Sequence, residues 1–166
     1  FWYDYDANTG KIVRVPNGTK TPYPYIGDAL GANFGDITFD KGLAFSSNVG
    51  ICELLANYIN YNQFSDYLDK FGFFQHVDTP YVDQSLGVKN IGLPTDYLST
   101  GFGQASSITA LQLCQAYTAI FNDGTMVRPY VIDSIVDSDT GNVIKKYKKK
   151  AVGTPISAQT AKEVQE

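Results

Sequence analysis

The hydrophobic pattern changes character along the chain. Between residues 1 and 26, apolar residues are broken by turn formers and show no helical spacing. Asp6-Ala7-Asn8-Thr9-Gly10 reads as a hairpin turn, because Gly10 can take the positive φ that a tight turn needs. Pro16-Asn17-Gly18 marks a second turn, and Pro22 and Pro24 then hold the backbone extended. This stretch reads as a strand-and-loop excursion on the surface.

From residue 36 the period becomes helical. Thr38 predicts the cap of a short helix through Phe39, Asp40, Lys41, Gly42, Leu43 and Ala44, with Asp40 well placed in the first turn. Ile51, Leu54, Leu55, Tyr58 and Ile59 then give a second helix one apolar face. Phe64, Tyr67, Leu68 and Phe71 predict a third, ended by Gly72. Residues 73–100 have no period and several turn formers, so they read as loop with short irregular elements. Thr109 caps a strong helix in which Leu111, Leu113, Cys114, Ala116, Tyr117, Ile120 and Phe121 cover most of the circumference, as in a helix buried on several sides. Asn122-Asp123-Gly124 stops it. Two strands, 131–137 and 142–147, flank the turn Ser138-Asp139-Thr140-Gly141, and Ser157 opens a last amphipathic helix. Helices in the middle and strands at the end, without βαβ alternation, give an α+β (mixed α/β) class.

Composition narrows the functions. At 43% apolar and 18% charged residues, the chain can fill a core. Its 12 Tyr and 10 Phe serve packing first and groove lining second. A net charge of −4 excludes general nucleic-acid binding, which needs a positive face to displace counterions. The local basic run at 145–150, interrupted by Tyr147, reads as a solvated edge strand in preference to a lipid or polyanion site. Cys52 and Cys114 both lie in apolar helical patterns, where cysteine acts as a small buried hydrophobe. With His76 the only histidine, neither a metal site nor a Ser-His-Asp triad is expected. No apolar run approaches the ~18 residues of a membrane span, and no signal peptide opens the chain, so any export signal or anchor is expected to lie outside these residues.

The candidate chemistry sits between the first two helices. Ser46-Ser47-Asn48 interrupts an apolar stretch and matches S-x-N, a pattern so short that, on the motif alone, Ser46 or Ser47 capping the following helix is the preferred reading. The surrounding residues add context. Gly35-Asp36-Ile37-Thr38 through Gly42-Leu43-Ala44-Phe45-Ser46-Ser47-Asn48-Val49-Gly50 resembles the second-motif region of class B penicillin-binding proteins, close to G-x-I-T-x-x-x-G-L-x-x-S-S-N-V-G. Downstream, Gly103-Gln104-Ala105-Ser106-Ser107-Ile108-Thr109-Ala110-Leu111-Gln112-Leu113 is similar to the family's G-Q-G-x-x-V-T-P-L-Q-L. Ala116-Tyr117 to Asn122-Asp123-Gly124 and Met126-Val127-Arg128-Pro129 continue the pattern. Residues 35–129 carry the strongest match, 130–166 follow as a hairpin and the start of a helix, and 1–34 match poorly.

The resemblance implies a partial transpeptidase domain: mainly the helical region of the serine β-lactamase/transpeptidase-like fold, plus a β-hairpin. It implies a D,D-transpeptidase that cross-links peptidoglycan stem peptides through a serine acyl-enzyme and is the target of β-lactams, with no cofactor. Ser46 would help pass a proton to the departing D-alanine amine. Asn48 would bond the substrate backbone and steady the motif lysine, a task suited to an amide that donates and accepts without titrating. Gln104 would face the substrate groove, with bonding inside its own loop as the alternative. Ala105 and Ala110 depart from the usual glycine and proline, which puts the usual loop shape in question.

No serine here has a lysine three residues later, and no K-[ST]-G occurs. The nucleophile and its lysine are therefore expected outside this central slice, and the slice alone is expected to be inactive. Implied partners are stem peptides, β-lactams, the missing portions of its own domain and a membrane glycosyltransferase of the division or elongation machinery. The implied location is the extracytoplasmic face of a bacterial membrane. A β-lactam sensor or degenerate non-catalytic domain is the alternative, and a class D β-lactamase a third.

Overall fold

The computed structural model describes residues 1–80 and 82–166, and Tyr81, within the stretch read as loop, lies outside them. Two compact units form: residues 1–65 with 88–107, and residues 66–87 with 108–166. Helix and strand both occur, as the α+β reading expects.

The first unit opens with the hairpin β1 (Trp2–Asp6) and β2 (Lys11–Val15), antiparallel with Tyr3 opposite Arg14. The turn closes as its residues dictate: Gly10 takes φ 66° and its amide donates to the Asp6 carbonyl at 2.8 Å. Helices α1 (Phe39–Ala44) and α2 (Asn48–Asn57) follow, and α3 (Tyr61–Lys70) begins in this unit and ends in the other. Thr38 holds the N-cap backbone position of α1 without a side-chain cap bond. Its hydroxyl instead bonds Asp40, holding that carboxyl below its ordinary pKa.

Helix α4 (Pro94–Gly101) stands where the sequence reads as loop. Its signal is a proline in the first turn, where the missing N–H is harmless. At eight residues it is too short to show a convincing period. Yet Tyr97 and Leu98, the latter wholly shielded from solvent, join Tyr3, Ile26, Cys52, Leu55 and Ile91 in the core. The Tyr97 hydroxyl donates to the carbonyls of Ile59 (2.6 Å) and Leu55 (3.2 Å), satisfying acceptors left open at the end of α2. Gly101 lets α4 approach α2, since a Cβ there would lie 2.3 Å from Leu55 Cδ1. Tyr58 falls just past the end of α2 and is exposed, so it leaves the apolar face assigned to it.

The second unit is built on α5 (Ala110–Phe121), strands β3 (Met126–Val127), β4 (Ser134–Val136), β5 (Val143–Lys146) and β6 (Ala151–Gly153), and α6 (Ala158–Gln165). Antiparallel pairs form between β3 and β6 and between β4 and β5. The β4–β5 hairpin is shorter than the two strands read from the sequence, and β3–β6 is a pairing that the sequence does not signal. Thr109 caps α5 in a full capping box with Gln112, and Ser157 caps α6 through the Thr160 amide.

Helix α5 overturns the expected burial at four of its apolar positions, while Ala116 is buried as expected. Gln112 is 1% exposed and Gln115, Ala116 and Ala119 are buried, while Leu113 (41%), Tyr117 (53%), Phe121 (68%) and Cys114 face outward. Gln112 goes inside because its amide is fully used there: Nε2 donates to the Gln75 (2.8 Å) and Leu86 (3.1 Å) carbonyls, and Oε1 accepts from the Thr109 amide. Cys114 is thus no core hydrophobe. The basic run is surface with individual partners: Lys146 with Asp133, Lys149 with Asn122 and Lys150 with Asp78.

Candidate active-site turn

Only three residues, Phe45, Ser46 and Ser47, separate α1 from α2. The Ser46 amide donates to the Leu43 carbonyl (3.0 Å) and the Ser47 amide to the Gly42 carbonyl (2.8 Å). Those two bonds close a helix around a left-handed residue, and Ser46 is that residue, at φ 54°. Glycine usually fills this position, because a side chain there is crowded by the following carbonyl. The Ser46 side chain is exposed, and its hydroxyl has no hydrogen-bond partner among the described residues.

Ser47 does the opposite. It is buried at the N-cap of α2, where its Oγ accepts from the Gly50 amide (2.9 Å) and donates to Asp28 Oδ1 (2.9 Å). Asp28 Oδ1 also accepts from the Val49 amide at 3.1 Å. Asn48, half-buried, starts α2, and its Nδ2 donates to the Gly27 carbonyl (3.0 Å), leaving Oδ1 and the second N–H without a partner among the described residues. Capping therefore falls to Ser47, which frees Ser46. Gly42 and Gly50 face each other across the joint, where a Cβ on Gly50 would sit in ordinary van der Waals contact with the Gly42 Cα at 3.6 Å. Phe45 stacks on Phe34 beside the turn at 5.2 Å.

Nearby ionisable groups are poor nucleophiles. Burial, helped by Glu53 and Asp28, pushes the Cys52 thiol up to about 12. Burial also pushes Tyr97 up to about 12, and it raises Tyr3 further, with Cys52 and Glu53 adding to the effect. A cavity of about 370 Å³ beside α2 is lined by Asp28, Ser47, Gly50 and Glu53, and not by Ser46 or Asn48.

Gln104 sits in a separate loop of the same unit. Its amide donates to the Ser99 carbonyl (2.8 Å) and its carbonyl accepts from the Ser106 amide (2.7 Å), while its side chain is exposed. Ala105 follows at φ 63°, so alanine adopts the left-handed backbone at the position where the matched pattern has glycine. Ser106 Oγ ties the loop down, accepting from the Asn90 amide (2.9 Å) and pairing with Thr100 Oγ1 (2.8 Å). No hydrogen bond among the described residues joins Gln104 to Ser46 or Asn48. In the second unit, Met126-Val127-Arg128-Pro129 is structural: Met126 is buried, Arg128 pairs with Asp78 (2.9 Å), and the Pro129 carbonyl accepts from Thr79 Oγ1 (2.8 Å). Sequence reasoning missed Gly27 and Asp28. Nothing in a loop without period marks a residue whose partner lies some twenty positions away.

The model of the penicillin binding protein transpeptidase domain matches residues 8–166. The chain belongs to the penicillin-binding protein transpeptidase family, in its class B branch. Among relatives of this family, PbpB of Mycobacterium tuberculosis is 32% identical over 170 residues, covering 96% of this chain and 24% of the relative. Stage V sporulation protein D of Bacillus subtilis is 29% identical over 123 residues, covering 72% of this chain and 19% of the relative. The crystal structure of penicillin-binding protein 2X from Streptococcus thermophilus superposes with a TM-score of 0.65 at 32% identity, over 76% of this chain and 18% of that one. The chain thus spans about a fifth to a quarter of the length of these relatives.

Proposed function

We propose that the protein containing this chain is a peptidoglycan D,D-transpeptidase working through a serine acyl-enzyme, with Ser46 and Asn48 as its S-x-N element. The observation that carries this reading is the division of labour in the turn. The buried Ser47 does the capping, while the Ser46 hydroxyl stands in the open on a strained backbone, a combination that accumulates at functional sites.

In this mechanism a serine outside the 166 residues attacks the carbonyl carbon of the penultimate D-alanine. The bond to the terminal D-alanine breaks, and the proton of the attacking hydroxyl reaches the departing amine by way of Ser46. An acceptor amine of a second stem peptide then attacks the ester, gives up its proton, and restores the serine. Asn48 holds the substrate backbone with the donor and acceptor that Gly27 leaves unused. The exposed Gln104 side chain adds a substrate contact at the groove edge. β-Lactams acylate the same serine, at the extracytoplasmic face of the membrane, where a glycosyltransferase supplies the strands to be linked. No helix among the described residues is long and apolar enough to cross a membrane.

The test is acylation of the full-length protein by a fluorescent penicillin, followed by release of D-alanine from a stem-peptide substrate. Ser46→Ala and Asn48→Ala should each slow acylation by about 10²–10³-fold, the loss typical of one positioned polar group. The 166-residue chain alone, lacking an S-x-x-K serine, should form no covalent adduct. Unchanged acylation in both variants would refute the assignment.

A further inference from the structure

The S-x-N turn is held from behind by a segment far from it in sequence. Asp28 Oδ1 accepts two hydrogen bonds, from Ser47 Oγ at 2.9 Å and from the Val49 amide at 3.1 Å, and the adjacent Gly27 carbonyl takes Asn48 Nδ2 at 3.0 Å. Each of the three consecutive residues 47–49 is thereby tied to residues 27–28. Among the described residues, Ser47 has no other partner for its proton, and Asn48 no other bond fixing its amide plane.

The arrangement does more than cap a helix. Ser47 Oγ already satisfies the Gly50 amide, so α2 has its ordinary cap without Asp28. The carboxylate adds a charge-assisted bond to a second first-turn amide, at the positive end of α2. It also pins Ser47, the residue covalently joined to Ser46 on one side and Asn48 on the other. The orientation of Ser46 in its left-handed conformation therefore depends on where Ser47 is held.

We propose that Asp28 is a positioning residue for the acylation step: it sets the placement of the Ser46 hydroxyl and, with the Gly27 carbonyl, of the Asn48 amide, without touching substrate. The proposal rests on the reading of Ser46 and Asn48 given above. A site of this kind loses rate steeply with small displacements, and an error on the order of 1 Å costs about 10²-fold. Asp28→Ala removes two of the three anchors, both on Oδ1, while leaving the Ser46 hydroxyl in place, and should cost about tenfold.

The experiment measures the rate constant and the amplitude of acylation by a fluorescent penicillin in the full-length protein, for Asp28→Ala, Asp28→Asn, Ser47→Ala and Ser46→Ala. Amplitude counts the folded, competent molecules, and the saturating rate constant reports how well each performs. Asp28→Ala should keep full amplitude and acylate about tenfold more slowly at saturation, with half-saturation unchanged. Asp28→Asn should run at close to the unaltered rate, because its amide oxygen can accept both bonds. Ser47→Ala, which keeps the Asp28–Val49 bond, should fall between them, and it carries the test if Asp28→Ala does not fold. A lower amplitude with an unchanged rate constant would reduce Asp28 to a scaffold residue and overturn the proposal. So would a normal rate in Asp28→Ala alongside a slow Ser46→Ala. If Ser46→Ala itself acylates normally, the underlying assignment fails instead, and that outcome is distinct from the other two.

Discussion

Replacing Ser46 with glycine should make the protein more stable and less active at once. Ser46 sits at φ 54° with its two amide bonds closing α1, so the backbone conformation is fixed by the joint and not by the side chain. For an L-residue this conformation costs about 1–2 kcal/mol. Glycine avoids that cost but gives back about 0.5–1 kcal/mol through its freer unfolded chain. The net gain is about 0.5–1 kcal/mol, or a rise of roughly 2 °C in Tm for a domain of this size class. Ser46→Ala keeps the strain and should match the unaltered protein in Tm. Both variants lose the same hydroxyl and should lose acylation to the same degree. Calorimetry on the three full-length proteins, with penicillin acylation in parallel, separates the two effects. A Ser46→Gly protein no more stable than Ser46→Ala would show that the left-handed joint is not under strain.

Other parts of the fold carry their own tests. Gly124→Ala should destabilise by about 2–4 kcal/mol, read by thermal or denaturant unfolding, since a Cβ at φ 81° would lie 2.1 Å from the Ile156 carbonyl oxygen. Hydrogen bonds from Lys150 and then Arg128 hold the Asp78 carboxyl below its ordinary pKa, so the unfolded chain binds this proton first as pH falls. That contribution is present above about pH 4 and fades as pH drops through the lowered value, and Asp78→Asn should flatten the acid limb of a stability–pH curve. The outward stripe of Leu113, Tyr117 and Phe121 predicts concentration-dependent self-association of the isolated 166-residue chain in sedimentation, abolished by serine at all three positions.

Local signals told most of this architecture in advance. Gly10, Gly72, Thr109 and Ser157 each fix an element end through a bond to a neighbour within a few residues, and each end lies where its residue type places it. The S-x-N joint was legible for the same reason, since both helices announce their own ends. What escaped depends on distance. Helix α4 is defined by Tyr97 reaching back to Leu55 and Ile59, and strand β6 by pairing with β3 some 25 positions earlier. Burial on α5 was misread because periodicity ranks residues by apolarity, whereas Gln112 is drawn inward by three specific partners. Asp28 was invisible on the same grounds, its importance lying wholly in what folds onto it.

The three residues between α1 and α2 each donate a backbone bond back into α1, which makes the joint behave like a keyed shaft. One residue inserted or deleted between 45 and 48 would break these bonds and carry Cys52 and Leu55 out of place against Tyr3 and Leu98. Longer loops absorb such changes without consequence, but this one has no slack. Among homologous proteins, length variation should accumulate on the β1–β2 and β4–β5 turns and be nearly absent here, even where the residues themselves differ.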